Sequence, residues 1–212
     1  MELYLIRHGQ SEANLNGTIQ GQADYELSNV GKRQAVLVGW TMKDIPIEAI
    51  YSSDLIRAFY TAESIAEHHG LPITKWENIR EVALGPLEGL KRKEAYRKYP
   101  NLKGENLITS GIPGTETIES ITNRCSAVYE HLLEKHMGQK VVLVSHGGFI
   151  RIFLTYLMAK EKWREIASPF VIGNTGITKV KLKENGKVMF SYVNQTSHLD
   201  NGEDKPLKET LS

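Results

Sequence analysis

Two hydrophobic rhythms alternate along the chain. Short apolar or alternating runs lie near 2–7, 48–52, 73–77, 140–145, 176–183 and 187–193 and predict strands. Between them, stretches near 29–43, 54–69, 91–99, 115–137 and 148–159 carry helical spacing. After Ser53 the stripe is Leu55, Ala58, Phe59, Ala62, Ile65 and Ala66, and Gly70 ahead of Pro72 stops it. After Gly114 the stripe is Ile118, Ile121, Cys125, Val128 and Leu132, which makes Cys125 a core residue. Asn185-Gly186 joins the last two strands as a hairpin. Alternation of this kind predicts an α/β fold in three layers, α/β/α. Its central sheet should be mostly parallel, with about six strands and one antiparallel edge. Residues 78–114 hold fewer elements and two Gly/Pro breaks, and are expected to form a lid insertion with one basic helix. A single domain over 1–200 and a flexible polar tail over 201–212 complete the layout.

Composition narrows the class. The chain has 212 residues, 41% hydrophobic and 24% charged, with a net charge of +1, which is ordinary for a soluble globular domain. No basic arm or acidic tail suggests nucleic acid, and no apolar run reaches the ~18–20 residues of a membrane span. One cysteine leaves no internal disulfide and no multi-cysteine metal site. Met1-Glu2 enters a strand at once, without a signal-peptide pattern, so a cytoplasmic location is expected.

The chemistry concentrates where strands end. Leu3 to Ile6 runs into Arg7-His8-Gly9, followed by Ser11 and Asn14. In open α/β sheets ligands bind outside the carboxyl ends of strands. Arg7 offers a planar fork matched to phosphate oxygens, His8 a nucleophilic ring nitrogen, and Gly9 a close approach of backbone to ligand. Val141 to Val144 likewise ends in Ser145-His146-Gly147-Gly148. Ile50-Tyr51-Ser52-Ser53 leads to a helix with Ser53 as cap and Arg57 in its first turn. A cation there opposes the helix dipole and implies a compensating anion, for which phosphate is suitable.

These pieces, with Gln20-Gly21, Leu27-Ser28 to Gly31, Gln34-Ala35, Ala58, Thr61-Ala62, Glu81 to Gly85 and Glu88-Gly89, fall in one order over roughly residues 3–180. In them the chain resembles the histidine phosphatase superfamily, which includes the cofactor-dependent phosphoglycerate mutases. The resemblance implies catalysis by His8, Arg7, Arg57, Glu81 and His146. His8 would be the nucleophile, and the two arginines and a protonated His146 the phosphate pocket. Glu81 would be the general acid and later the base, its proton held by apolar neighbours Val82, Ala83 and Leu84. Glu88 is the competing carboxylate, read as a loop residue. Ser11, Asn14, Gln20, Gly21 and Gly147 would contact phosphate or substrate. No metal and no cofactor are required. His68, His69, His131, His136 and His198 are expected to be solvated and receive no role.

The same resemblance frames a choice. Mutases carry basic and tyrosyl residues just after the catalytic Glu, where this chain has Val82, Ala83 and Leu84. An apolar mouth cannot hold a small diacid for back-transfer, so water should complete the cycle. A metal-independent phosphatase of small phosphorylated metabolites is therefore expected. A cofactor-dependent phosphoglycerate mutase is the alternative, kept open by Arg92 and Lys93. A non-catalytic phosphate-binding module is disfavoured because all five core residues are present. Whether the chain is a monomer or a homodimer is not legible.

Overall fold

Side-chain alternation along β1 (Glu2–Arg7) builds both cores at once. Leu3 and Leu5 point to one face and Tyr4 and Ile6 to the other, all of them buried. The computed structural model describes residues 1–102 and 110–200. The tail expected at 201–212 lies outside the described residues, as does the 103–109 part of the insertion.

β1 is flanked by β4 (Lys140–Ser145) and β5 (Ile177–Leu182). Beyond β4 come β2 (Ala49–Ser52) and β3 (Ile73–Lys75), and beyond β5 comes β6 (Val188–Gln195). The order is β3-β2-β4-β1-β5-β6, with three parallel pairings followed by two antiparallel ones. The fold is thus the expected six-stranded, mostly parallel α/β sheet. Its one reversed strand is β5, second from the edge. Lys183 N–H to Lys187 C=O closes the hairpin at 3.0 Å, and Gly186 at φ +76° supplies the left-handed turn.

Helices cover both faces. On one, α2 (Asn29–Met42) and α3 (Ile56–Ala66) bring Val38, Met42, Ala58, Ala62 and Ile65 against Tyr4, Ile6, Ile50, Val142 and Val144. On the other, α5 (Ile118–His136) and α6 (Gly147–Ala159) bring Cys125, Val128, Leu132, Phe149 and Phe153 against Leu3, Leu5, Val141 and Leu143. Each such Leu, Val or Phe is worth about 1.5–3 kcal/mol when fully buried. Cys125 is fully buried as expected, and burial pushes its thiol up to about 12.

The insertion is anchored to this second core. Its helix α4 (Arg92–Lys98) buries Ala95, and Leu87 and Leu102 join the same cluster. Ile19 N–H donates to Leu90 C=O at 2.9 Å, and a bridge pairs Thr18 with Lys91. The insertion is therefore fastened to the loop that follows the short helix α1 (Glu12–Asn16). Among the described residues no helix is long and apolar enough to cross a membrane.

Register decides what lies at the sheet's carboxyl edge. Arg7 pairs with Ser145, and Val144 with Ser52. The next residue of each strand, His8, His146 and Ser53, therefore emerges along one line.

Candidate active site

A cavity of about 560 Å³ opens at that edge, lined among others by Arg7, His8, Arg57 and Glu81. His8 is 2% exposed. Its Nδ1 lies 2.6 Å from the Gly9 carbonyl oxygen. A carbonyl only accepts, so Nδ1 carries the proton and Nε2 keeps its lone pair. The ring is held well below its ordinary pKa, first by burial, then by Arg57 and Arg7. Neutral imidazole with a bare Nε2 is the form a nucleophile needs.

Arg57 is fully buried. Its two terminal nitrogens donate to Ala23 C=O and Gly21 C=O, each at 2.8 Å, while its Nε finds no partner among the described residues. Arg7 donates to Ile172 C=O at 2.8 Å, and its Nε is also unpartnered. Burial lowers both guanidinium pKa values, and the Glu81 charge opposes that shift in each. A buried cation beside a partly buried one, each with an unsatisfied donor, is costly unless an anion enters.

His146 is fully buried and does not line the cavity. Its ring centroid is 5.0 Å from that of His8. Burial, Arg57, His8, Arg7 and Arg124 hold its pKa well below the ordinary value. These influences favour the neutral ring over the protonated one that the resemblance implied.

Glu81 also departs from expectation. Its carboxylate is held by the start of α6 instead of an apolar wall. Val82 N–H and Phe149 N–H donate to Oε1 at 2.9 and 2.8 Å, and Gly148 N–H to Oε2 at 3.0 Å. Val82 and Leu84 do line the cavity nearby. Glu88 accepts from Gln22 N–H and Leu84 N–H, stapling the loop, and does not line the cavity.

Other expected contacts divide. Asn14, Gln20, Gly21 and Gly147 line the cavity. Gly21 sits at φ +53°, and Gly147 lacks a Cβ that would lie 3.2 Å from Arg7 Nε. Ser11 does not line it. Its hydroxyl accepts from Asn14 N–H and donates to Gln20 Oε1, capping α1. Gly9 makes room for α2, not for a ligand, since a Cβ there would lie 2.5 Å from Gly31 C=O. Ser53 does not cap α3 either. Leu55 occupies the cap position, and the Asp24 carboxylate takes Ile56 N–H from across the fold at 2.8 Å.

Sequence reasoning missed several residues. Arg151 lines the cavity four positions after Gly147, on the same helix face. Arg92, which the sequence had offered together with Lys93, lines it from α4, and Lys93 does not. Phe170, Val171 and Ile172 close another wall from a loop that carries no motif. Asn174 donates to His8 C=O at 3.0 Å, and Thr61 Oγ1 accepts Gly9 N–H at 3.0 Å. The remaining histidines are not simply solvated. His131 and His136 both meet the Tyr51 hydroxyl, at 3.0 and 2.8 Å, and His198 meets Thr175 Oγ1 at 3.0 Å. His68 alone is exposed. Among the described residues no group of three or more His, Cys, Asp or Glu is placed to hold a metal ion.

The model of the histidine phosphatase superfamily (branch 1) matches residues 3–195. Phosphoglycerate mutase-like protein 4 of Arabidopsis thaliana is 33% identical over 94% of this chain and 87% of its own length. A probable phosphoglycerate mutase of Salmonella choleraesuis is 31% identical, over 94% and 95%. Among solved structures, phosphoserine phosphatase from Entamoeba histolytica in complex with phosphoserine superposes with a TM-score of 0.75 and 32% identity, covering 93% of this chain and 98% of that one. A mycobacterial glucosyl-3-phosphoglycerate phosphatase complexed with VO3 gives 0.80 and 25%, covering 92% and 99%. The chain belongs to branch 1 of the histidine phosphatase superfamily.

Proposed function

We propose that this protein is a metal-independent phosphatase of small phosphomonoesters, working through a phosphohistidine on His8. The observation that carries the reading is the His8 ring: Nδ1 is committed to Gly9 C=O, and the bare Nε2 belongs to a buried ring that the charges of Arg57 and Arg7 keep neutral. In the first step Nε2 attacks phosphorus, the ester P–O bond breaks, and Glu81 gives its proton to the leaving oxygen. In the second, Glu81 takes a proton from water, the water oxygen attacks phosphorus, and the P–N bond breaks, restoring neutral His8 and releasing phosphate. Arg7 and Arg57 answer the charge on the equatorial oxygens. Of the three N–H donors on Glu81, two converge on Oε1 and one on Oε2, which leaves Oε2 a lone pair for the transferred proton.

Arg92 and Arg151 favour a second reading, a cofactor-dependent phosphoglycerate mutase, because they place positive charge at a cavity whose mouth looked apolar in the sequence. Phosphatase remains the better reading. Val82, Leu84, Phe170 and Val171 supply apolar wall beside those cations, and Val171 is 77% exposed. Relatives of both kinds are known by name, and one neighbour's structure holds phosphoserine and another 3-phosphoglyceric acid. The test is a panel of phosphomonoesters assayed in excess chelator, with 3-phosphoglycerate plus its bisphosphate included. Phosphate release across several esters supports the phosphatase. Isomerisation of phosphoglycerate faster than phosphate release would establish the mutase.

A further inference from the structure

Two imidazoles lie with centroids 5.0 Å apart, His8 lining the phosphate pocket and His146 buried behind it, and each has one nitrogen already committed. For His8 the committed atom is Nδ1, and the bare Nε2 is left over. For His146 it is Nε2, 2.8 Å from Ser53 Oγ, and Nδ1 is buried with no partner among the described residues. Ser53 is itself fully buried. Its hydroxyl accepts Leu55 N–H at 3.3 Å. It has one proton to give, and among the described residues His146 Nε2 is its one acceptor.

The geometry points to Ser53 as a positioning residue: by donating to Nε2 it holds neutral His146 in the Nδ1–H tautomer, so that Nδ1 presents an N–H to the phosphoryl group. Both rings then carry the same tautomer yet show opposite atoms to the substrate. His8 offers a lone pair for attack and His146 offers a donor for charge. The device suits this pocket. The groups facing His146 are Arg57 from α3, Arg7 from β1, His8 just beyond it, and Arg124 from α5, and they disfavour a charged ring. A neutral ring supplies a donor only in the correct tautomer, and nothing else in the described structure selects it. The inference rests on the phosphatase reading for its catalytic meaning, though not for its structural content.

Ser53→Ala removes the donor, frees Nε2 to take the proton, and turns a lone pair of Nδ1 toward the anion. The expected loss in kcat is about 10²-fold, the lower end for removal of one transition-state donor. Low pH should narrow the deficit, because protonated His146 carries N–H on both nitrogens whatever Ser53 does. Ser53→Thr keeps the hydroxyl and should recover most of the rate. The decisive readout needs no substrate: ¹⁵N NMR of the histidine side chains in the wild-type protein, assigned with His8→Gln and His146→Gln. Both rings in the Nδ1–H form support the inference, whatever reaction the enzyme proves to catalyse. His146 in the Nε2–H form overturns it, even in a fully active phosphatase. A Ser53→Ala enzyme whose deficit is the same at every pH, with wild-type tautomers, overturns it as well.

Discussion

Replacing Glu81 by Gln separates chemistry from architecture, and the structure sets both magnitudes. Gln keeps one oxygen, which can still accept from Val82 N–H and Phe149 N–H. Its amide NH₂ then faces Gly148 N–H, which loses the 3.0 Å bond to Oε2. One N–H left without a partner costs about 1–3 kcal/mol, and loss of a negative charge at a helix start about 0.3–1 kcal/mol more. At about 2–4 °C per kcal/mol for a chain of this size, the midpoint should fall by roughly 3–15 °C, and the protein should still fold. The kinetic effect depends on the leaving group. An alkyl phosphate expels an alkoxide-like oxygen that needs a proton, and loss of a general acid costs about 10²–10⁴ in rate. A nitrophenyl phosphate needs that proton far less. Single-turnover burst kinetics isolates the first step, since water activation in the second also uses Glu81. The expected outcome is a large first-step loss for phosphoserine or a sugar phosphate and a small one for the aryl ester. Equal losses for the two would refute the acid role and leave Glu81 as a brace for α6. Normal rates in Glu81→Gln together with a dead Glu88→Gln would transfer the role to Glu88.

Gly21→Ala should weaken both fold and activity: a Cβ there collides with the Glu88 carboxylate, at a φ of +53°. Displacing Glu88 strands Gln22 N–H and Leu84 N–H at roughly 1–3 kcal/mol each, and Gly21 C=O holds Arg57; an unchanged urea midpoint would contradict this. His8 and His146 stay neutral in the native state at pH values where the unfolded chain binds protons, so their contribution to stability is complete above pH 6.5 and is lost as pH falls below it. The slope should approach about 1.4 kcal/mol per pH unit per ring, and His8→Gln should flatten it in calorimetry. Cys125, with its thiol at about 12, should resist alkylation until the protein is denatured; prompt labelling of the native protein would refute its place in the core.

The strand ends were legible because β1, β2 and β4 are short apolar runs that stop on chemically distinctive residues. Parallel register then had to bring Arg7, His8, Ser53 and His146 to one edge. The direction of β5 was not legible, because an apolar run does not encode its orientation and no tight-turn signal precedes it. α1 was missed because Ser11 and Asn14 bond each other's backbone in a reciprocal cap, which reads in sequence as a polar loop. Arg151 was within reach: it stands four residues after Gly147, so any helix that begins at the pocket returns it to the same face. The Phe170–Ile172 wall and the Tyr51–His131–His136 contacts exist only through tertiary packing and have no local signature. Glu81 was placed correctly beside the pocket, yet its actual surroundings come from α6, more than sixty residues away along the chain.

The central claim is that phosphorus becomes bonded to His8 Nε2. Rapid quench with ³²P-labelled substrate, followed by denaturation and peptide mapping, tests it most directly. The account requires a labelled peptide containing His8 whose bond is lost in acid and survives base, and no label in His8→Ala. A label that is stable in acid and lost in base, or one that persists in His8→Ala, would place the nucleophile on another side chain.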